Sequence, residues 1–211
     1  MTDPEERLSG LDWVGAPGLL SRLVIGLLAS VRVPPDLVLP TLDLTIELGR
    51  RGSVLMSGFQ TPLEKAVLGL LMSRDFPLII ALPRTLHGFR IPSEWDEALR
   101  DDRMLIISAT SRQRSTRETA MERNRLLTRI ADTLLVVYAS PGGRVWKEAC
   151  NALAAGKPVR CMDHPANLNL EVPGATLISA DGGLSGPGPA GAPVRKLWPP
   201  GSELSLLSTG R

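Results

Sequence analysis

The stretch from Glu122 to Glu148, ERNRLLTRIADTLLVVYASPGGRVWKE, constrains the fold of this chain more than any other. Leu134-Leu135-Val136-Val137-Tyr138 is an unbroken apolar run bounded by polar and turn residues. Such a run reads as a strand covered on both faces, the condition of a central strand in a parallel sheet. Ser140-Pro141-Gly142-Gly143 follows at once, and a helix is expected from about Arg144. A glycine turn between strand and helix leaves backbone N–H groups able to face an anion, and the helix dipole adds to that. Arg123, Asn124 and Arg125 sit on the preceding basic helix. The segment therefore predicts a phosphate-binding edge with arginines close by, for a nucleotide or nucleic-acid ligand.

The same alternation recurs along the chain. Short apolar runs at Leu23–Leu28, Ser53–Met56, Pro77–Leu82, Met104–Ile107, Thr133–Ala139 and Val159–Met162 predict strands, with one more short strand at Ala175–Ser179. Helices are expected between them. One spans about Thr41 to Arg50, its start delayed by prolines 34, 35 and 40. A second opens at Thr61-Pro62-Leu63-Glu64, a capping-box pattern with proline at the first helical position. A third, short one follows Pro92, and the helix after the double glycine ends at Gly156. Strands alternating with helices predict a three-layer α/β sandwich around a mainly parallel, Rossmann-like sheet. Residues 1–21 read as a lead-in carrying Trp13, and 22–180 as the domain. Residues 181–211 read as a Gly/Pro-rich tail: positions 181–201 hold six Gly and five Pro, and Trp198 lies among them.

Net charge is only +2, so no global field draws the chain to nucleic acid and any such affinity needs a local patch. Positions 111–129 supply one, with six arginines against Glu118 and Glu122. Two cysteines, Cys150 and Cys161, and two histidines, His87 and His164, match no metal-ligand spacing, so no metal and no cofactor is expected and both thiols read as reduced. The apolar run Leu19–Val31 is too short and too interrupted to span a bilayer. With an acidic N-terminus unlike a signal peptide, the protein is expected to be cytoplasmic and off the membrane.

Over about residues 22–165, the order of signals resembles the Rossmann-like domain of the DNA-processing protein DprA (Smf). That superfamily also holds the LOG nucleotide phosphoribohydrolases. The resemblance rests on Ser57-Gly58 after the second strand, Arg123-Asn124-Arg125 ahead of Ala131-Asp132, Ser140-Pro141-Gly142-Gly143 after the fifth, and Gly156-Lys157-Pro158-Val159 into the sixth. It implies single-stranded DNA or a nucleotide as partner, a role in DNA processing, and self-association as a homodimer. It also favours Arg123 and Asn124 as the inward pair of their helix.

Two departures qualify it. DprA-type chains continue Ser-Gly with a small residue and Arg-Gly-Ile-Asp. Phe59-Gln60-Thr61-Pro62 stands there instead, so the arginine and acid of that loop are missing. LOG-type hydrolases carry Pro-Gly-Gly-x-Gly-Thr-x-x-Glu, whereas Val145 and Trp146 replace Gly and Thr, and Ala149 replaces the glutamate. Glu148 comes one residue early, a rotation of roughly 100° about a helix.

The expected phosphate site comprises Ser57, Gly58, Arg123, Asn124, Ser140, Pro141, Gly142, Gly143 and Arg144. Ser57 and Gly58 are taken to contact phosphate through the backbone or the Ser57 hydroxyl. Arg144 either clamps a phosphate or faces water. The two glycine-bearing turns are expected to follow adjacent strands and to converge at the carboxyl edge of the sheet, where open α/β sheets bind ligands. No catalytic residue is assigned. The reading is a DprA-like binder of nucleotide or single-stranded DNA. Its alternative is a LOG-like nucleoside monophosphate hydrolase, for which Glu148 is the nearby carboxylate.

Overall fold

Short β-rich segments pair into one sheet, and the interior ones are apolar enough to be covered on both faces. In the computed structural model, which describes residues 3–171 and 173–180, the strands are β1 (Asp12–Gly15), β2 (Val24–Ala29), β3 (Val54–Ser57), β4 (Leu78–Leu82), β5 (Met104–Ser108), β6 (Thr133–Tyr138), β7 (Val159–Met162) and β8 (Thr176–Ile178). Their spatial order is β1-β5-β4-β3-β2-β6-β7-β8, parallel throughout except for β1, which runs antiparallel to β5. The helices are α1 (Pro4–Arg7), α2 (Val38–Arg50), α3 (Pro62–Ser73), α4 (Asp96–Arg100), α5 (Arg117–Ile130), α6 (Arg144–Ala154) and α7 (Leu168–Glu171).

Alternate residues of each strand feed opposite cores, as the two-residue side-chain period requires. Ile25, Leu27, Leu55 and Ile80 pack with Leu44 and Leu48 of α2 and Leu63, Val67 and Leu71 of α3. Val24, Leu28, Met56 and Val136 pack with Leu126, Leu127 and Ile130 of α5 and Ala149 and Ala152 of α6. The result is the expected three-layer, Rossmann-like sandwich.

The expected α2 start changes. The helix begins at Val38, three residues early, with Pro40 inside its first turn. The first turn has no intrahelical acceptor for its N–H groups, so proline costs nothing there. The lead-in also proves more than a lead-in. It supplies α1, the edge strand β1 and the buried side chains Leu8, Ala16, Leu19 and Leu20, which join the core under α5. Four residues of strand, Asp-Trp-Val-Gly, carry too little pattern to announce this. The tail at 181–211, with Trp198, lies outside the described residues.

Among the described residues no helix is long and apolar enough to cross a membrane, and no cluster of three metal-ligating side chains occurs. Both cysteines are free thiols. Burial, helped by Glu171 and Asp163, pushes the Cys161 thiol up to about 12, so it stays protonated at neutral pH. His164 pairs with Asp36 at 3.0 Å.

One polar knot ties the start of the sheet together. Asp132, between α5 and β6, accepts the Val24 N–H at 2.7 Å and a guanidinium N–H of Arg7 at 3.2 Å. Arg7 also donates to the Leu20 and Ile130 carbonyls. These bonds join α1, the end of α5 and the start of β2. Asp132→Ala should therefore lower stability by about 1–2 kcal/mol, the lower part of the range for stranding a buried donor, because Asp132 is partly open to water. A reduced urea midpoint at unchanged slope is the expected readout; an unmoved midpoint would show that solvent replaces the carboxylate at no cost.

Candidate functional site

The connections leaving β2 and β6 go to opposite faces. α2 follows β2 onto one face, and α6 follows β6 onto the other. The sheet order reverses at this pair, and a crevice opens where the two loops part. A cavity of about 510 Å³ occupies it, within the range of about 300–1,000 Å³ typical of small-molecule sites. A register shift between Leu28 and Ala29 lengthens the β6 side locally, and Ser30 stitches the two loops: its N–H donates to the Tyr138 carbonyl at 2.9 Å and its Oγ accepts from Ser140 N–H at 3.2 Å.

Arg123 forms the centre of the site. It projects from α5 into the cavity with only 9% of its surface exposed. Its Nε and Nη1 are buried without a hydrogen-bond partner. Burial draws its pKa below the usual value; Glu64 opposes that, and Arg144 adds to it. Arg125, two residues on, faces solvent, so Arg123 and Asn124 are the inward pair, both buried at the cavity wall. The Asn124 side-chain oxygen is also buried without a partner. A buried cation lacking a carboxylate on its Nε and Nη1 is costly unless something negative reaches it.

Gly58 is explained by that arginine. A Cβ on Gly58 would overlap Arg123 Nη1 and come within 2.8 Å of Arg123 Cδ. The glycine leaves room for the guanidinium to lie against the backbone. Ser57 corrects the expectation set for it. It is fully buried, its hydroxyl donates to the Leu27 carbonyl at 3.0 Å and accepts weakly from Phe59 N–H at 3.5 Å, and neither Ser57 nor Gly58 lines this cavity. Their place in the sequence reflects packing of the strand end and of Arg123.

The glycine turn after β6 is partly corrected too. Pro141 and Gly142 form an exposed tip away from the cavity wall, with Gly142 left-handed at φ +68°. The Gly143 N–H closes the turn onto the Ser140 carbonyl at 2.9 Å, so it does not face an anion. Ser140, Gly143 and Arg144 do line the cavity. Gly143 caps α6 without a side chain, which leaves the first-turn N–H groups of that helix uncapped at the cavity. Nor are the two turns on adjacent strands: β2 lies between β3 and β6. Because all three strands are parallel, the turns still share one edge.

Two contributors have no sequence signal. The loop after β2 brings Ser30 and Arg32 to the cavity, which only the central position of β2 makes possible. Glu64, read from sequence solely as a helix cap, lines the cavity while its Oε2 accepts from Gln60 N–H at 2.8 Å and Thr61 N–H at 3.2 Å. An acid from the first turn of α3 is therefore present at the cavity. The balance is three guanidinium groups, Arg32, Arg123 and Arg144, against one carboxylate. Glu148 is turned away: it accepts from Thr128 Oγ1 of α5 at 2.5 Å.

No protein-family model matches the chain, and no curated protein matches it by sequence. Solved structures do. DNA processing protein A from Helicobacter pylori, described for its single-stranded DNA binding mode, aligns with TM-score 0.65 at 21% identity, over 79% of this chain and 80% of that one. DprA from Streptococcus pneumoniae gives 0.66 at 16% identity, over 83% and 67%. The molybdenum cofactor binding protein from Rippkaea orientalis gives 0.56 at 15%, over 76% and 91%. At these identities the likeness is one of fold, a Rossmann-like fold shared with the DprA proteins.

Gly58→Ala should leave the fold intact while forcing Arg123 out of its bed. Calorimetric titration with inorganic phosphate should then show affinity reduced about tenfold or more, the scale of one charge-assisted hydrogen bond. Unchanged phosphate affinity in a folded Gly58→Ala protein would remove Arg123 from the site.

Proposed function

We propose that this chain is a DprA-like, phosphate-recognising binder of nucleotide or single-stranded DNA, holding a phosphate in the cavity between the β2 and β6 loops. The observation that carries this reading is the buried Arg123 guanidinium, whose Nε and Nη1 have no hydrogen-bond partner, on a residue that lines the cavity together with Arg32 and Arg144. Arg123 supplies the charge-assisted hydrogen bonds, and the uncapped start of α6 adds oriented N–H groups. Ser140, Gly143 and Asn124 shape the wall. The shared fold with a DprA protein described as binding single-stranded DNA supports a role in DNA processing for this chain.

The basic segment extends the site. Arg112, Arg114, Arg117 and Arg125 are exposed on or before α5, and Ser115 among them reaches the cavity wall. A bound single strand has a path of positive charge leading to the buried arginine. If DNA is the ligand, log affinity should fall with log salt at a slope of roughly −0.7 per phosphate neutralised. Arg123→Ala should lower affinity for all sequences alike, because phosphate contacts carry no base information. Salt-insensitive binding, or none to an oligonucleotide at low salt, would leave the free nucleotide as the ligand.

The hydrolase reading draws on one observation, the Glu64 carboxylate at the cavity. It is weakened by two others: Glu148 is bonded to Thr128, and Glu64 Oε2 is engaged by two backbone N–H groups. Loss of a base needs a carboxylate free to assist at the sugar. Purified protein incubated with adenosine monophosphate should therefore release no adenine on chromatography. Release that disappears in Glu148→Gln or Glu64→Gln would replace the binder with the hydrolase.

A further inference from the structure

A second cavity of about 150 Å³ abuts the first and shares Gln60, Pro83 and Ser115 with it. Its chemistry is different. Phe59, Leu82, Phe89 and Trp95 line it, and the Phe89 and Trp95 rings lie 6.3 Å apart at 37°. Arg84 sits over the Phe89 ring at 5.6 Å, and its Nε is buried without a hydrogen-bond partner. Phe59 holds φ at +50°, a left-handed conformation that a bulky residue rarely adopts and that clusters at functional sites. The strained residue directly follows Gly58, against which Arg123 lies.

The two cavities differ as the two ends of a nucleotide differ. One offers buried cationic donors suited to a phosphate. The other offers an aromatic wall for a flat heterocycle, with an arginine whose Nε is unmatched beside it. We infer that the aromatic compartment formed by Phe59, Arg84, Phe89 and Trp95 is a base subsite, so that the paired cavities take one nucleoside phosphate unit. This inference rests on the phosphate site proposed above and adds the group that discriminates a nucleotide from any other phosphate. The unit comes either as a free nucleotide or as one residue of a single strand.

The test is calorimetric titration of the full chain with ribose 5-phosphate, adenosine monophosphate, thymidine monophosphate and a thymidine tetranucleotide. Both mononucleotides are expected to bind about tenfold or more tightly than the sugar phosphate, the scale of one base–aromatic stacking contact. Phe89→Leu and, separately, Arg84→Gln should erase that preference while leaving ribose 5-phosphate binding unchanged; two variants guard against one that fails to fold. A tetranucleotide far tighter than thymidine monophosphate assigns the site to single strands, and equal affinities assign it to free nucleotides; both support the base subsite. Equal binding of ribose 5-phosphate and the mononucleotides, or a preference that survives both variants, overturns the base subsite and leaves the phosphate site standing. No binding by any probe overturns the phosphate site and the base subsite together.

Discussion

The backbone of β2 is hydrogen-bonded to β3 on one side and β6 on the other, with helices over both faces. Everything at the site takes its position from that strand. Its neighbours are parallel to it, so three carboxyl ends meet at one edge. Its own helix leaves to one face and the helix after β6 leaves to the other, so the edge cannot close there. The Ser30–Ser140 stitch keeps the two loops in fixed relation while the crevice stays open beyond them. The amino ends are held equally firmly, by Asp132 gripping the Val24 N–H and Arg7.

Into that crevice the fold sends a charge that it does not neutralise. Glu64, the carboxylate at the same wall, is engaged in capping α3, and Arg144 repels Arg123. A domain held together by a few kcal/mol does not keep an under-paired buried guanidinium for stability. Its position is nonetheless built in: Gly58 is shaped to receive it, and α5 is capped by a reciprocal Thr116–Thr119 pair that sets where the helix begins.

The neighbouring aromatic compartment follows the same logic with the opposite polarity. The loop after β4 folds Phe89 and Trp95 onto the sheet edge, and Arg84 bridges the ring and the cavity. Phe59 belongs to the core under α2 and α3, and Phe89 and Trp95 pack against the same core. They meet because β3 and β4 are adjacent, which brings the ends of both strands beside the larger cavity.

Much of this was legible in the chain itself. Period and punctuation alone locate six parallel strands, the capped start of α3 and the end of α6 at Gly156, because local propensity and burial on both faces leave marks in short windows. The resemblance of Arg123-Asn124 and Ser140-Pro-Gly-Gly to a known family pointed to the carboxyl edge of the sheet after β6, where the larger cavity lies. What short windows cannot carry is strand order. The position of β2 between β3 and β6, the entry of Ser30, Arg32 and Glu64 into the site, and the pairing of β1 with β5 all depend on contacts between distant segments. The same holds for Ser57 and Gly58: the sequence shows a small-residue turn, but only the packed structure shows that the serine hydroxyl is satisfied internally and that the glycine makes room for an arginine 65 residues further along. Sequence determines which residues can be buried; tertiary packing decides which polar groups are left without a partner, and at the cavity wall those include Arg123 and Asn124.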